Sequence, residues 1–218
     1  AQQKKLDKFL GCLIGGAAGD ALGYPVEFWT EDMLHHTYGA KGISEYALRN
    51  GVAQISDDTQ MTLFTANGLL FATTRGCLRG ILGPYPSYVA EAYREWYKTQ
   101  TANYPAAKRF VSCWLLNVPE LYASRAPGNT CLAALKEGGD GVIISPINHS
   151  KGCGGVMRVA PVGLYFGSSH MAGMAADLMA WHCPGGQINH IHGYGKNGRE
   201  LFPRCWQSGA SPWRAIPG

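Results

Sequence analysis

The run Ser56-Asp57-Asp58-Thr59-Gln60 leads directly into apolar residues spaced like one face of a helix: Met61, Phe64, Leu69 and Leu70. Its adjacent carboxylates and hydroxyls are hard oxygen ligands, which suit Mg²⁺, Mn²⁺ or Ca²⁺. A simpler interpretation is also open, in which Asp57 caps the helix and Gln60 closes a capping box. The run therefore predicts the start of a buried helix, with either a metal site or a plain cap in its first turn.

Helical spacing also dominates the rest of the chain. Apolar residues recur at helical spacing from Leu6 to Leu22, and Tyr24-Pro25 ends that helix because the residue before a proline disfavours the α conformation. A loop rich in Gly and His is predicted between this helix and the acidic run. A later helix is predicted from Ser87 through Trp96, with an inward face made of Val89, Tyr93, Trp96 and Tyr97.

Another helix is predicted from Asn129 to a glycine stop at Gly138-Gly139. Convincing strand alternation is absent from the sequence, and only the short apolar piece Val142-Ile143-Ile144 could be a buried extended segment. These patterns predict an all-α fold, a single-domain bundle of packed helices.

Composition narrows the class of protein. The 218 residues are 46% hydrophobic and 16% charged, which is typical of a globular chain. The formal charge of +4 comes from scattered basic residues, so no nucleic-acid partner is indicated. The seven cysteines form no C-x-x-C pair, so neither zinc nor a disulfide framework is expected. Buried, reduced thiols in a cytoplasmic protein are the prediction.

The first helix raises the question of a membrane segment. Its apolar stretch from Phe9 to Ala18 is about half the length of a membrane span. It also lacks a small-residue cleavage site followed by a polar chain, so neither a signal peptide nor a membrane partner is expected.

Two further segments carry glycines beside polar groups. Gly11, Gly15 and Gly19 recur every four residues, which would let a neighbouring helix or a ligand approach the first helix closely. Lys151-Gly152-Cys153-Gly154-Gly155 is a loop whose backbone amides could cradle a pyrophosphate, although such clusters are often simple turns. Convergent polar groups flank this loop, namely Asn148, Ser150 and Arg158. Two alternatives stay open for Arg158, a phosphate contact or burial against an acidic helix.

Taken in order, three segments resemble the signature of the ADP-ribosylglycohydrolase family, which includes the dinitrogenase reductase-activating glycohydrolases. They are Gly11–Glu27, Ser56–Thr59 and Asn148–Pro161, and the resemblance is expected to cover residues 6 to about 180. It implies an all-α hydrolase that removes ADP-ribose from modified side chains. It also implies two Mg²⁺ or Mn²⁺ ions beside the distal ribose.

The resemblance assigns roles to particular residues. Ser56, Asp57 and Asp58 occupy the family's metal-binding positions, and Asp57, Asp58 and Glu27 are the catalytic candidates. Without the resemblance, Glu27 would be interpreted as an exposed carboxylate after a helix stop. Asp20 also matches a family position and is expected to face either the site or the solvent. The resemblance implies that the substrate is bound by the glycine-rich loop and its flanks, through Asn148, Ser150, Lys151, Gly152, Cys153, Gly154, Gly155 and Arg158.

Near the C-terminus the sequence departs from the family pattern. Family members carry an Asp-x-Asp-Thr run there that completes the metal cage, whereas the last aspartate here is Asp177. A helix is predicted over Ser169–Ala180, and residues 181–218 hold seven Gly, four Pro and three Trp. We expect a partial, C-terminally incomplete helical domain over residues 1–180 and an atypical tail over 181–218. Truncation or a frame shift is favoured over a genuine divergent ending.

Three functions are compatible with these observations. The first is a metal-dependent hydrolase that cleaves the bond between ADP-ribose and an acceptor, either a protein side chain or a small conjugate. The second is a catalytically impaired relative that binds ADP-ribose with part of the metal site and holds one ion weakly or none. The third is a helical interaction domain whose acidic run is only a cap.

Overall fold

A computed structural model describes residues 2–81, 83–106, 113–139 and 153–166. Within these ranges the chain forms six α-helices and a short antiparallel hairpin: α1 (Gln2–Gly23), α2 (Glu31–Tyr38), β1 (Leu48–Arg49), β2 (Val52–Ala53), α3 (Asp57–Arg79), α4 (Tyr85–Thr101), α5 (Asn129–Lys136) and α6 (Ala160–Phe166). The all-α prediction is confirmed. The predictions for Val142–Ile144, for a helix over Ser169–Ala180 and for the tail lie outside the described residues.

The core is built around α3, which packs along α4 and also meets α6. Its buried members come from α3, α4, α5, α6 and the segment between α4 and α5: Met61, Phe64, Leu69, Val89, Ala92, Tyr93, Trp96, Cys113, Leu115, Leu121, Cys131, Leu135 and Val162. One buried polar pair inside this core is the 2.6 Å hydrogen bond between the hydroxyls of Thr65 and Tyr93. The start of α3 therefore adjoins this core, because Met61 and Phe64 of the same helix belong to it.

Most of the predicted inward faces are confirmed. Val89, Tyr93 and Trp96 of α4 are fully buried, and α5 ends at Lys136, shortly before Gly138 and Gly139, which both have positive φ. The prediction for Leu70 is wrong, since this side chain is 53% exposed on the outer face of α3. It follows Leu69 by one position, and a helix turns adjacent residues to different faces.

The stretch between α1 and α3 is not simply a loop, as the sequence suggested. Thr30 caps α2 by accepting a hydrogen bond from the Met33 amide at 3.2 Å, and Leu34 is its buried residue. Asn50 and Gly51 both have positive φ and turn the hairpin β1–β2. With two residues in each strand, the hairpin is too short to leave an alternating pattern in the sequence.

Helix α1 is confirmed, but its apolar stripe is largely exposed in the described part of the protein. Leu6, Leu10 and Ile14 are between 47% and 63% exposed. Ideal Cβ atoms built at Gly11, Gly15 and Gly19 meet no described atom within 4 Å, so these glycines do not mark a close helix contact there.

By length and composition alone, the stretch Lys5–Val26 could cross a membrane, with a mean hydropathy of 1.2 over its most apolar window. The length argument from Phe9–Ala18 therefore does not exclude a span. A single apolar helix near the N-terminus is weak evidence for one, because core helices and signal sequences share these properties.

Four of the cysteines in the described residues are free thiols: Cys12, Cys77, Cys113 and Cys131. Cys113 and Cys131 are buried in the core, as predicted, whereas Cys12 and Cys77 are exposed.

The closest approach of α3 to α4 occurs at Gly68. An added Cβ there would lie 2.7 Å from the Val89 Cα, a backbone atom that cannot move aside easily. Gly68→Ala should therefore reduce the free energy of unfolding by about 1–3 kcal/mol through overpacking. Gly16→Ala in α1 is the control, because its Cβ meets no described atom within 4 Å and should be neutral or slightly stabilising. Urea denaturation of both variants measures this, and equal stabilities would contradict the tight crossing.

Candidate active site

The first turn of α3, residues Ser56–Thr59, is called the acidic turn here. Ser56 is the N-cap, and its hydroxyl accepts a hydrogen bond from the Asp58 amide at 3.2 Å. The alternative in which Asp57 caps the helix is therefore wrong. Asp57 and Asp58 are the first two residues of the helix, and their carboxylates are not used to cap it.

Helix α1 reaches the acidic turn through Asp20. Its Oδ2 atom accepts hydrogen bonds from the Ser56 amide at 2.8 Å, the Thr59 amide at 3.3 Å and the Thr59 hydroxyl at 2.5 Å. Of the two orientations left open by the sequence, Asp20 takes the one that faces the site. One carboxylate oxygen from another helix thus holds both ends of the acidic turn.

A loop that the sequence analysis missed, residues 122–128, closes over Asp57. The Asp57 amide donates to the Arg125 carbonyl at 3.1 Å, and the Gly128 amide donates to Asp57 Oδ2 at 3.2 Å. Ala126 between these anchors has a φ of 51°, a left-handed conformation that is uncommon for residues other than glycine. Pro127-Gly128 marks a turn in the sequence, but nothing local indicates that it folds back onto Asp57.

Gln60 does not close a capping box. Its side chain is fully buried, donates to the Ala123 carbonyl at 3.0 Å and accepts from Trp96 Nε1 at 3.0 Å. The Gln100 amide donates to the same oxygen at 3.1 Å. Gln60 lies about one helical turn after Asp57, and its side chain therefore links the 122–128 loop to α4.

Burial raises the pKa of both carboxyl groups of the acidic turn. The pKa of Asp57 rises to about 7, mainly through burial, and is partly held down by the Gly128 hydrogen bond. The pKa of Asp58 also rises to about 7, through burial first and then repulsion from Asp57 and Asp20. A nearby cation would remove the repulsion, so the site is short of positive charge.

Glu27 stands beside this pair, just after the 3₁₀ turn Tyr24–Val26 that follows α1. Its side chain is exposed overall, yet partial burial and the charges of Asp58 and Asp20 raise its pKa. The position combines solvent access with closeness to Asp58, as a residue that handles a water proton requires.

Arg158 lies inside the protein with 1% of its surface exposed. Its guanidinium stacks over the Tyr93 ring at 4.9 Å and donates to the Met61 sulfur at 3.2 Å. Its charge also lowers the pKa of Asp58, against the larger effect of burial. This placement favours burial against the acidic helix over the phosphate contact that the resemblance implied.

Only the end of the glycine-rich loop is described. Cys153–Gly155 forms a 3₁₀ turn, and the Met157 carbonyl accepts from the Thr62 hydroxyl at 3.0 Å, which fixes the segment against α3. Asn148, Ser150, Lys151 and Gly152 lie outside the described residues. The substrate-binding role of the loop stays a prediction.

The donor set of the acidic turn fits a divalent cation of the Mg²⁺ or Mn²⁺ kind. Asp57 and Asp58 are adjacent carboxylates whose pKa values are raised by burial, and Ser56 adds a hydroxyl oxygen. Within residues 2–81, 83–106, 113–139 and 153–166, however, no three His, Cys, Asp or Glu side chains gather as a ready-made metal site. The described residues therefore supply some of the ligands that an ion requires.

The described residues thus combine a helical architecture, two adjacent and partly buried carboxylates at a helix start, and the end of a glycine-rich segment held against that helix. Residues 1–198 match the ADP-ribosylglycohydrolase family, and the chain belongs to it. This match continues past residue 180, where the resemblance was expected to end.

The chain is similar to the ADP-ribosyl-[dinitrogen reductase] glycohydrolase of Rhodospirillum rubrum, with 27% identity over 190 residues. The alignment covers 85% of this chain and 52% of that protein, so the chain spans about half the length of the curated relative it matches. No solved structure matches this chain significantly.

The hydrogen bond from Gly128 to Asp57 can be tested with a matched pair of substitutions. Gly128→Ala keeps the amide and places its Cβ 3.8 Å from Cys131 Sγ, an ordinary contact, so stability should be nearly unchanged. Gly128→Pro removes the donor, leaves a buried carboxylate oxygen without it and should cost about 1–3 kcal/mol. The control repeats both substitutions in the Asp57→Ala background, where Gly128→Pro should lower the free energy of unfolding much less. Denaturant-induced unfolding measures the stability of each variant. An equal cost in both backgrounds would mean that the hydrogen bond contributes little.

Proposed function

We propose that this chain is a metal-dependent hydrolase that cleaves the glycosidic bond between ADP-ribose and a modified acceptor such as a protein side chain. Family membership supports the reaction class. The observation that supports metal dependence is the acidic turn. Its two partly buried carboxylates do not cap the helix, because Ser56 and Asp20 accept the capping hydrogen bonds. The R. rubrum relative is named for an ADP-ribosylated protein substrate, and we extend that substrate class to this chain.

In the proposed site, Ser56, Asp57 and Asp58 hold Mg²⁺ or Mn²⁺ through oxygen atoms. Such an ion, held by these residues, would supply Lewis-acid chemistry beside the ribose and would make a nearby water more acidic. The Gly128 amide and the 122–128 loop orient the Asp57 carboxylate, and Arg158 supplies positive charge behind Asp58. These contacts oppose the rise in the pKa of the two carboxyl groups, and the Gly128 hydrogen bond fixes the orientation of Asp57.

Glu27 is the proposed general base. Burial and the charges of Asp58 and Asp20 raise the pKa of Glu27, which makes it a stronger base towards a water proton than an ordinary carboxylate. The water oxygen forms a bond to the anomeric carbon while the bond from that carbon to the acceptor breaks. The acceptor leaves with a proton taken from solvent, and Glu27 returns to solvent the proton that it took from the water. One water is consumed, and the products are free ADP-ribose and the unmodified acceptor. The transition state has oxocarbenium character, which nearby carboxylates stabilise.

A second function is favoured by one observation. Because the described residues hold no cluster of three acidic or imidazole ligands, an incomplete cage would bind ADP-ribose with little turnover. Such a protein would be a catalytically impaired, ADP-ribose-binding member of the family. The two functions differ in whether bound ADP-ribose conjugate is hydrolysed when metal is in excess.

The metal site is tested by exchanging both acidic residues for amides. In the wild type, Mg²⁺ or Mn²⁺ at a hundredfold excess over its Kd should stabilise the fold by about 2.7 kcal/mol, a melting shift of roughly 5–10 °C. Asp57→Asn/Asp58→Asn should abolish this shift and the release of ADP-ribose from a modified peptide.

The matched control for this experiment lies at α2. There Thr30, Glu31 and Asp32 form the same cap-acid-acid pattern but are exposed to solvent. Glu31→Gln/Asp32→Asn should keep the full metal response. If the metal-induced melting shift persists in Asp57→Asn/Asp58→Asn, the acidic turn is only the start of a helix and not a metal site. A shift without release of ADP-ribose would favour the impaired, binding function.

The glycine-rich loop is proposed to bind the diphosphate of ADP-ribose through its amides, with contributions from Asn148, Ser150 and Lys151. Gly154→Val adds bulk where the ligand would meet backbone, so it should weaken ADP-ribose binding at least tenfold and leave the metal-induced melting shift unchanged. Gly163→Ala is the control, because its Cβ in α6 meets no described atom within 4 Å. Calorimetry that gives the same ADP-ribose affinity for both variants and the wild type would refute the loop's role.

A further inference from the structure

Every backbone amide of the acidic turn has an acceptor other than the carboxylates of Asp57 and Asp58. The Ser56 and Thr59 amides donate to Asp20, the Asp57 amide to the Arg125 carbonyl and the Asp58 amide to the Ser56 hydroxyl. Free amides at a helix start attract whatever acidic side chain is nearest, and in this turn that would be Asp57 or Asp58.

Asp20 itself occupies an unusual place. It lies in the last turn of α1, where the negative end of the helix dipole disfavours an acidic side chain. The acidic turn offers the opposite environment, because the start of α3 carries the positive end of that helix. The cost of placing a carboxylate at the end of α1 is offset by the three hydrogen bonds it accepts at the start of α3.

We propose that Asp20 is a positioning residue that caps α3 from α1 and so leaves the carboxylates of Asp57 and Asp58 free to bind a divalent cation. This inference rests on the proposed function. Asp20 acts through one oxygen atom, which already accepts all three hydrogen bonds, so its part is to hold the turn in place. The role requires an acceptor oxygen at this point and does not require a negative charge.

The experiment therefore compares a substitution that keeps the acceptor oxygen with one that removes it. Asn at position 20 keeps one carbonyl oxygen that can accept the same hydrogen bonds, whereas Ala keeps none. Mn²⁺ binding to the full chain is followed by electron paramagnetic resonance of the free ion. We expect Asp20→Ala to weaken Mn²⁺ binding at least tenfold and Asp20→Asn to stay within about threefold of the wild type. Equal losses in both variants, or no loss in either, would overturn the positioning role.

A loss of overall stability has to be separated from a loss of positioning. Gly68→Ala lies at the α3–α4 crossing, away from the acidic turn, so it lowers stability without touching Asp20. It should leave the Mn²⁺ affinity unchanged. Thr59→Val removes the hydroxyl donor at 2.5 Å and should weaken Mn²⁺ binding less than Asp20→Ala does, with no further effect in the Asp20→Ala background. Independent, additive losses would contradict a shared anchor.

Amide exchange of the metal-free protein keeps this inference separate from the proposed function. The Ser56 and Thr59 amides should be protected in the wild type and in Asp20→Asn, and exposed in Asp20→Ala. Unprotected amides in the wild type would refute the Asp20 cap alone. Protected amides in a wild type that binds no Mn²⁺ would refute the metal-dependent function, and with it the role of Asp20 at a metal site.

Discussion

The constraint on which this structure depends is the partial burial of two adjacent carboxylates at the start of its central helix. Like charges at neighbouring positions repel, and removal from water makes their ionised forms costly. The fold tolerates Asp57 and Asp58 because fixed partners surround them. The Gly128 amide donates to one carboxylate, and Arg158 lies close enough to lower the pKa of the other. Both pKa values are nevertheless raised, so the arrangement still favours a further positive charge.

The same helix supplies the core and the site, so the position of the site depends on the packing of the core. Gln60 lies two residues after Asp58 and is fully buried, with hydrogen bonds to Trp96, Gln100 and the 122–128 loop. Helix α3 then continues into the close crossing with α4 at Gly68. Displacement of the carboxylates would thus disturb the 122–128 loop and the packing beneath them. Sites that hold ions or reacting groups benefit from such support.

Helices α2 and α3 begin with the same local sequence pattern, but their acidic residues lie in different environments. Thr30-Glu31-Asp32 and Ser56-Asp57-Asp58 each place a hydroxyl cap before two carboxylates. In α2 these acids are exposed and only favour the helix start through its dipole. In α3 the end of α1 and the 122–128 loop cover the turn, and three of its four backbone amides donate to acceptors outside it. Local chemistry makes both runs helix starts, and only tertiary burial makes one of them a candidate metal site.

Sequence patterns alone were sufficient to predict the helical class, most of the core faces of α3 and α4, the glycine stop after α5 and the acidic run as the candidate site. These features follow from periodicity and from local backbone preferences, which neighbouring residues fix. The sequence could not reveal that Asp20 caps α3, that residues 122–128 close over Asp57, or that Arg158 is internal. The sequence-based predictions that Gln60 belongs to a capping box and that residues 31–38 form a loop were also wrong. Those features were decided by the tertiary structure, because they join residues more than thirty positions apart or depend on how little of a short helix is buried.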